Sequence, residues 1–171
     1  MSEATYDRMA ASLGSLLLLW ARIERAAQQE VVRRGRSKVP PTSFHGVAKA
    51  LQAWRATVSD LPDAASLSTR LADALCDRLQ RPRNIRNGLC HGLIGIVSAH
   101  DGRPGRLLWE MNGVEKSVTW EELQEMFGWL AKVPQALGMI SADPRRSPFD
   151  RRIDSPENRE WWRTEFALAL E

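Results

Sequence analysis

The chain has few of the residues that staple small secreted domains or build metal centres. Cysteine occurs twice in 171 residues, at Cys76 and Cys90, too few for a disulfide framework or a metal quartet. Histidine occurs three times, at His45, His91 and His100, without the spacing of a zinc site, so neither a metal nor another cofactor is expected. The apolar run from Leu13 to Trp20 is too short to span a bilayer, which argues against a membrane partner. Glu3 and Asp7 before it, and Arg22, Glu24 and Arg25 after it, do not fit a signal peptide. A cytoplasmic protein is the expectation. Lysine is scarce too, present only at 38, 49, 116 and 132, so arginine carries most of the positive charge. Arginine grips phosphate with a two-pronged fork that lysine lacks. Arginine-favouring codons and solvated helix faces account for the same excess equally well.

What is present reads as an ordinary globular chain. Apolar residues make up 43% and charged residues 26%, with a net charge of +3, values that exclude wholesale disorder and do not by themselves announce nucleic acid. Met9, Leu13, Leu16, Trp20, Ile23, Ala27 and Val31 step by three and four, the stripe of a long helix over about Ala4–Arg34. Arg33, Arg34, Arg36 and Lys38 follow it, and Pro40-Pro41 stops it. Ser43 can cap a second helix bearing Val47, Leu51 and Trp54; after Leu61-Pro62-Asp63, the ladder Leu67, Leu71, Leu75, Leu79 marks a third. Arg81-Pro82 resets the backbone for a short fourth helix with Ile85 and Leu89. The texture then turns β-like at 93–97, 106–111 and 114–118, with Asp101-Gly102 and Asn112-Gly113 as hairpin turns. Thr119 and Glu122 form a capping box for a helix reaching about Gly138, and Ser155-Pro156 starts a terminal helix. The expected fold is mainly α, a helical bundle over residues 1–140 with a small β insertion at about 93–118. Residues 141–171 are expected to be a linker and a helix that packs on the bundle or on a partner.

Within this frame the stretch Arg86-Asn87-Gly88-Leu89-Cys90-His91-Gly92 carries the chemistry. It joins a fixed cation, a polar amide and a proton carrier, the equipment that handles a phosphodiester. On a helix, residues 87 and 91 share a face, whereas 86 and 91 stand about 140° apart, so Arg86 must bend its side chain round to join them. Gly88 costs about 1 kcal/mol relative to alanine and suits a site where another helix or a ligand backbone comes close. Gly92 reads as a C-terminal cap. From the residues alone, a helical histidine beside glycine is more often a cap or a satisfied core group, and Arg86 equally fits an ion-paired or solvated residue.

These seven residues resemble the signature of the HEPN superfamily, an arginine followed by four to six residues and a histidine, with a polar residue after the arginine. The order of elements over residues 5–138 is similar as well. The resemblance implies an HEPN-like helical bundle, a homodimer with two motifs at one cleft, and a metal-independent endoribonuclease of the toxin–antitoxin or defence type. It assigns Arg86 to phosphate binding, Asn87 to orientation and His91 to acid–base work on the ribose 2′-hydroxyl. The products would be a 2′,3′-cyclic phosphate and a 5′-hydroxyl. RNA is the implied substrate, and an antitoxin or neighbouring-gene protein the implied regulator. Toxins silenced by nucleotidyl transfer carry a tyrosine two residues after the histidine; Leu93 stands there and Tyr6 is the only tyrosine, so that control is not expected. A non-catalytic HEPN-like module that binds a partner, a nucleotide or RNA is the alternative.

Other residues have assignable parts. Glu24, at the margin of an apolar stripe, could set the direction of Arg86 or simply serve Arg25 or Gln28. Arg78, Arg81 and Arg83 form a basic collar able to track an RNA backbone, or a set of solvated helix ends. Cys90 lies beside His91, but adjacent helical residues do not face one another, so it reads as a small core residue. Trp161-Trp162 is expected to pack rather than to stack on bases.

Overall fold

The apolar stripes of the sequence become the buried faces of helices. The computed structural model describes residues 5–34, 46–59, 67–142 and 150–170. Among them the fold is mainly α-helical with one small antiparallel sheet. The helices are α1 (Tyr6–Arg33), α2 (Val47–Ser59), α3 (Ser68–Arg78), α4 (Gln80–Gly92), α5 (Trp120–Ile140) and α6 (Pro156–Phe166). Three strands, β1 (Leu93–Val97), β2 (Arg106–Met111) and β3 (Val114–Thr119), lie between α4 and α5 in the order β1-β2-β3. Expectations at Pro40-Pro41, Ser43, Leu61-Pro62-Asp63, and for Arg36, Lys38, His45 and residues 143–149 fall outside the described residues.

The chain divides into two compact units. The first gathers the start of α1 through Leu19 with Leu79–Leu130; the second gathers the chain from Trp20 through Arg78 and from Ala131 onward. In the first, Met9, Leu16, Ile85, Leu107, Leu123 and Leu130 are buried; in the second, Ile23, Trp54, Leu71, Leu75, Leu137 and Phe166 are. All four leucines of the 67–79 ladder are buried.

The local signals act as their chemistry requires. Asn112 and Gly113 both have positive φ, 54° and 73°, as a two-residue type I′ turn demands, and Met111 pairs with Val114 across it. Asp101 and Gly102 repeat the device at 47° and 74°, with His100 and Arg103 exchanging backbone hydrogen bonds. The Thr119 hydroxyl accepts from the Glu122 backbone N–H at 3.2 Å while the Glu122 carboxylate accepts from the Thr119 N–H at 3.0 Å, a reciprocal cap for α5. Ser155 Oγ accepts from Asn158 N–H with Pro156 in the first turn of α6. Between α3 and α4 only Leu79 intervenes, because Pro82 falls in the first turn of α4, where a backbone N–H has no helical partner anyway. Proline 134 sits inside α5 without ending it.

A buried ion pair organises the second unit. Arg152, 4% exposed, meets Asp150 through Nε–Oδ1 and Nη2–Oδ2, both at 2.7 Å, and donates to the Ala142 carbonyl. Arg33 and Arg34 also donate to the Ser141 carbonyl, so guanidinium groups crowd the negative end of α5. Trp54 Nε1 donates to Ser141 Oγ at 2.6 Å, and the Arg152 carbonyl accepts from Leu67 N–H at 2.7 Å. The hydrogen bonds from Arg152 hold the Asp150 carboxyl below its usual range. That depressed value gives stability fully present above the unfolded carboxyl pKa of about 3.9 and lost as pH falls through the lower folded value. Asp150→Asn should therefore cost about 3 kcal/mol at pH 7, by leaving Arg152 buried and unpaired. Urea unfolding should show the gap between parent and variant narrowing as pH falls below about 4.

Candidate functional site

The motif helix α4 is shaped by two side chains that are missing. A Cβ on Gly88 would land in the indole of Trp109, against Nε1, and a Cβ on Gly92 would land on the Glu110 carbonyl oxygen. Both neighbours belong to β2, so what comes close to Gly88 is a strand and its tryptophan. The Gly92 expectation is corrected: no positive φ occurs there, and α4 passes through it into Leu93 at φ −56° and ψ 120°. Gly92 is small because a backbone carbonyl abuts it, not because the chain reverses.

With Pro82, Ile85, Gly88 and Leu89 turned inward, the opposite face is fixed outward. Arg83, Asn87 and His91 recur every four residues and lie along one ridge of that face. His91 is exposed and Asn87 half-buried. Arg86 stands on the flank, half-buried, and its Nη1 donates to Asn87 Oδ1 at 2.9 Å. The bend that the sequence demands of Arg86 is thus directed by Asn87. Arg86 Nε is buried without a hydrogen-bond partner, as is Trp20 Nε1 in the core, a cost of about 1–3 kcal/mol each. Several other arginines meet carboxylates: Arg55 with Asp73, Arg81 with Glu122, Arg152 with Asp150, Arg159 with Asp154. Among the described residues no carboxylate pairs with Arg86. The ridge therefore presents an accessible imidazole, with Arg86, unpaired by any described carboxylate, on its flank.

The remaining expected residues are placed as follows. Arg81 donates to Glu122 at 2.7 Å, and the Thr119 N–H, with help from Arg81, holds the Glu122 carboxyl below its usual range. Arg83 donates to Gln80 at 2.6 Å. Arg78 lies in the second unit and lines an open groove with Asp73, Asp77 and the tail Ala167–Leu170. Glu24 also lies in the second unit, where its Oε1 accepts from Gly46 N–H at 3.0 Å and from Gln28 at 3.4 Å, at the start of α2. Cys90 is exposed rather than a core residue, because the inward positions of α4 are taken by Leu89 and the glycines. Trp162 is buried and donates to the Arg151 carbonyl at 2.7 Å, while the Arg151 guanidinium covers Trp161. Among the described residues no three His, Cys, Asp or Glu side chains gather as metal ligands, and no helix is long and apolar enough to cross a membrane.

Comparison with protein-family models, curated proteins and solved structures finds no match to the chain.

Trp109 and Glu110 are the site residues that sequence reasoning missed. The available signal was Gly88 and Gly92 at i and i+4, two small residues on one helical face. Gly88→Ala and Gly92→Ala should each lower stability by about 1–3 kcal/mol through overpacking. Gly128→Ala in α5, where a new Cβ meets nothing within 4 Å, should instead raise it by up to about 1 kcal/mol. Thermal denaturation of the three variants checks this; equal stability of Gly88→Ala and Gly128→Ala would refute the close approach.

Proposed function

We propose that the chain is a metal-independent endoribonuclease of HEPN type, a homodimeric toxin or defence effector whose substrate is single-stranded or looped RNA. The observation that carries this reading is the cation without a counter-ion, Arg86, held by Asn87 on the helix that exposes His91. Such a guanidinium suits a phosphodiester, whose two non-bridging oxygens match its fork.

The chemistry follows from these groups. His91 accepts the proton of the ribose 2′-hydroxyl, and O2′ attacks phosphorus as the bond to O5′ breaks. Arg86 neutralises the charge that builds on the non-bridging oxygens. The departing O5′ takes a proton from an acid, leaving a 2′,3′-cyclic phosphate and a 5′-hydroxyl. One copy supplies a single exposed imidazole on this ridge, so a second copy supplies the other proton carrier. An antitoxin or neighbouring-gene protein would act by covering the ridge of Arg83, Asn87 and His91. Arg83 would hold a flanking phosphate.

The test is cleavage of mixed RNA by purified protein in chelator, beside His91→Ala and Arg86→Ala. Each substitution should lower the rate by about 100-fold or more. Equal cleavage by all three proteins assigns the activity to a contaminant. Intact RNA with the parent protein leaves the non-catalytic binding module in its place.

A further inference from the structure

The face of the sheet that carries α4 is left uncovered at one end. Residues two apart on a strand share a face, as do residues directly opposite across an antiparallel pair. The Trp109 indole lies against Gly88, so Leu107, Trp109 and Met111 of β2 stand on the α4 side. Opposite them on β3, Val118, Lys116 and Val114 stand there too. Leu107, Trp109 and Val118 are buried, whereas Met111 is 38% exposed and Val114 53%. The cause is where the helix stops. Gly92, its last residue, abuts the Glu110 carbonyl, and Met111 is the next residue along β2. The turn at Asn112-Gly113 then brings the chain back to Val114. An apolar cross-strand pair is thus bare beside the end of the motif helix, where His91 precedes Gly92. Charge is sorted between the two faces. Glu110 and Glu115 oppose each other on the reverse side, while Lys116 is exposed on the α4 side. Among the described residues no carboxylate pairs with Lys116.

We propose that Met111 and Val114 form a specificity shelf on which the nucleobase beside the cleaved phosphodiester lies, with Lys116 holding a neighbouring phosphate. The proposal rests on the RNA reading above and names how that site chooses its substrate. A nucleotide joins a flat apolar face to an anion, and here an apolar pair adjoins a cation without a carboxylate. Two partly exposed side chains fall far short of the area, about 800 Å² per partner, of a standard protein interface. One base covers them. Neither side chain carries a strong hydrogen-bond donor or acceptor, so the shelf does not read a base edge. It selects by stacking area, which favours a purine over a pyrimidine. The acidic pair on the reverse face repels a phosphate backbone, which keeps the bound strand on the α4 side.

Fluorescence anisotropy with labelled 2′-O-methyl oligonucleotides, which cannot be cleaved, tests this apart from turnover. The parent protein should bind oligoadenylate at least about 3-fold tighter than oligouridylate, a reading that needs no variant. Met111→Ser with Val114→Ser should abolish that preference and weaken oligoadenylate binding about 10-fold. Lys116→Gln should weaken both ligands alike and lower the slope of log affinity against log salt by about 0.7. Val97→Ser is the control. Val97 is 39% exposed but pairs with Arg106 on the reverse face, and its substitution should change neither affinity. A parent that binds neither ligand at millimolar concentration, or both equally, overturns the proposal. A serine variant that keeps the preference overturns it as well and leaves the pair to a protein partner. Cleavage that needs His91 and Arg86 but has the same KM in the serine variant upholds the nuclease while sinking the shelf. Shelf-dependent binding without cleavage does the reverse.

Discussion

The close approach of α4 to β2 governs how the motif is presented. At Gly88 and Gly92 the helix gives up two Cβ positions, and the Trp109 indole and the Glu110 carbonyl occupy that space. Glycine in a helix costs about 1 kcal/mol per position relative to alanine, an outlay offset here by burying Trp109 against the helix backbone. The rotation of α4 about its axis is thereby set. Once 85, 88, 89 and 92 face the sheet and core, 83, 87 and 91 have no freedom but to face outward. The orientation of the imidazole is therefore inherited from packing on the opposite side of the helix.

Electrostatics separates the arginine of the motif from those that meet carboxylates. Where the chain uses arginine for structure, it supplies a partner: the Asp150 fork for Arg152, the carbonyl end of α5 for Arg33, the capping-box carboxylate for Arg81. Arg86 receives a neutral amide oxygen from its sequence neighbour and no carboxylate. An amide orients a guanidinium without cancelling its charge. That distinction is what a phosphate-binding role requires, and it also explains why burial of Arg86 is only partial. A fully buried, unneutralised cation would cost several kcal/mol in desolvation.

The features legible in the sequence are those whose causes are local. Helical stripes, the Thr119–Glu122 box, Ser155-Pro156 and Asn112-Gly113 each involve residues within a few positions of one another. The mainly α fold with a three-stranded insertion followed from them. What was hidden depends on distant partners. Nothing near Gly88 tells that a tryptophan 21 residues later fills its missing side chain. Gly92 carried the same signal as a helix cap, and Cys90 the same signal as a core residue, until β2 decided which face of α4 was inside. Asp150 and Arg152 fall in the stretch expected to be a linker, because a buried fork and an exposed one have the same spelling. The division into two units was equally unreadable, since α1 and α5 each run through both.

The most direct test is a nuclear magnetic resonance titration with a 2′-O-methyl oligoribonucleotide, which can bind at a phosphodiester site but cannot be cleaved. Resonances of the His91 ring, the Arg86 guanidinium and the Asn87 side-chain amide should move together, while the Trp109 indole N–H, on the inward side of α4, stays in place. Shifts that gather elsewhere, or none at millimolar ligand, would contradict a phosphate-binding ridge on α4.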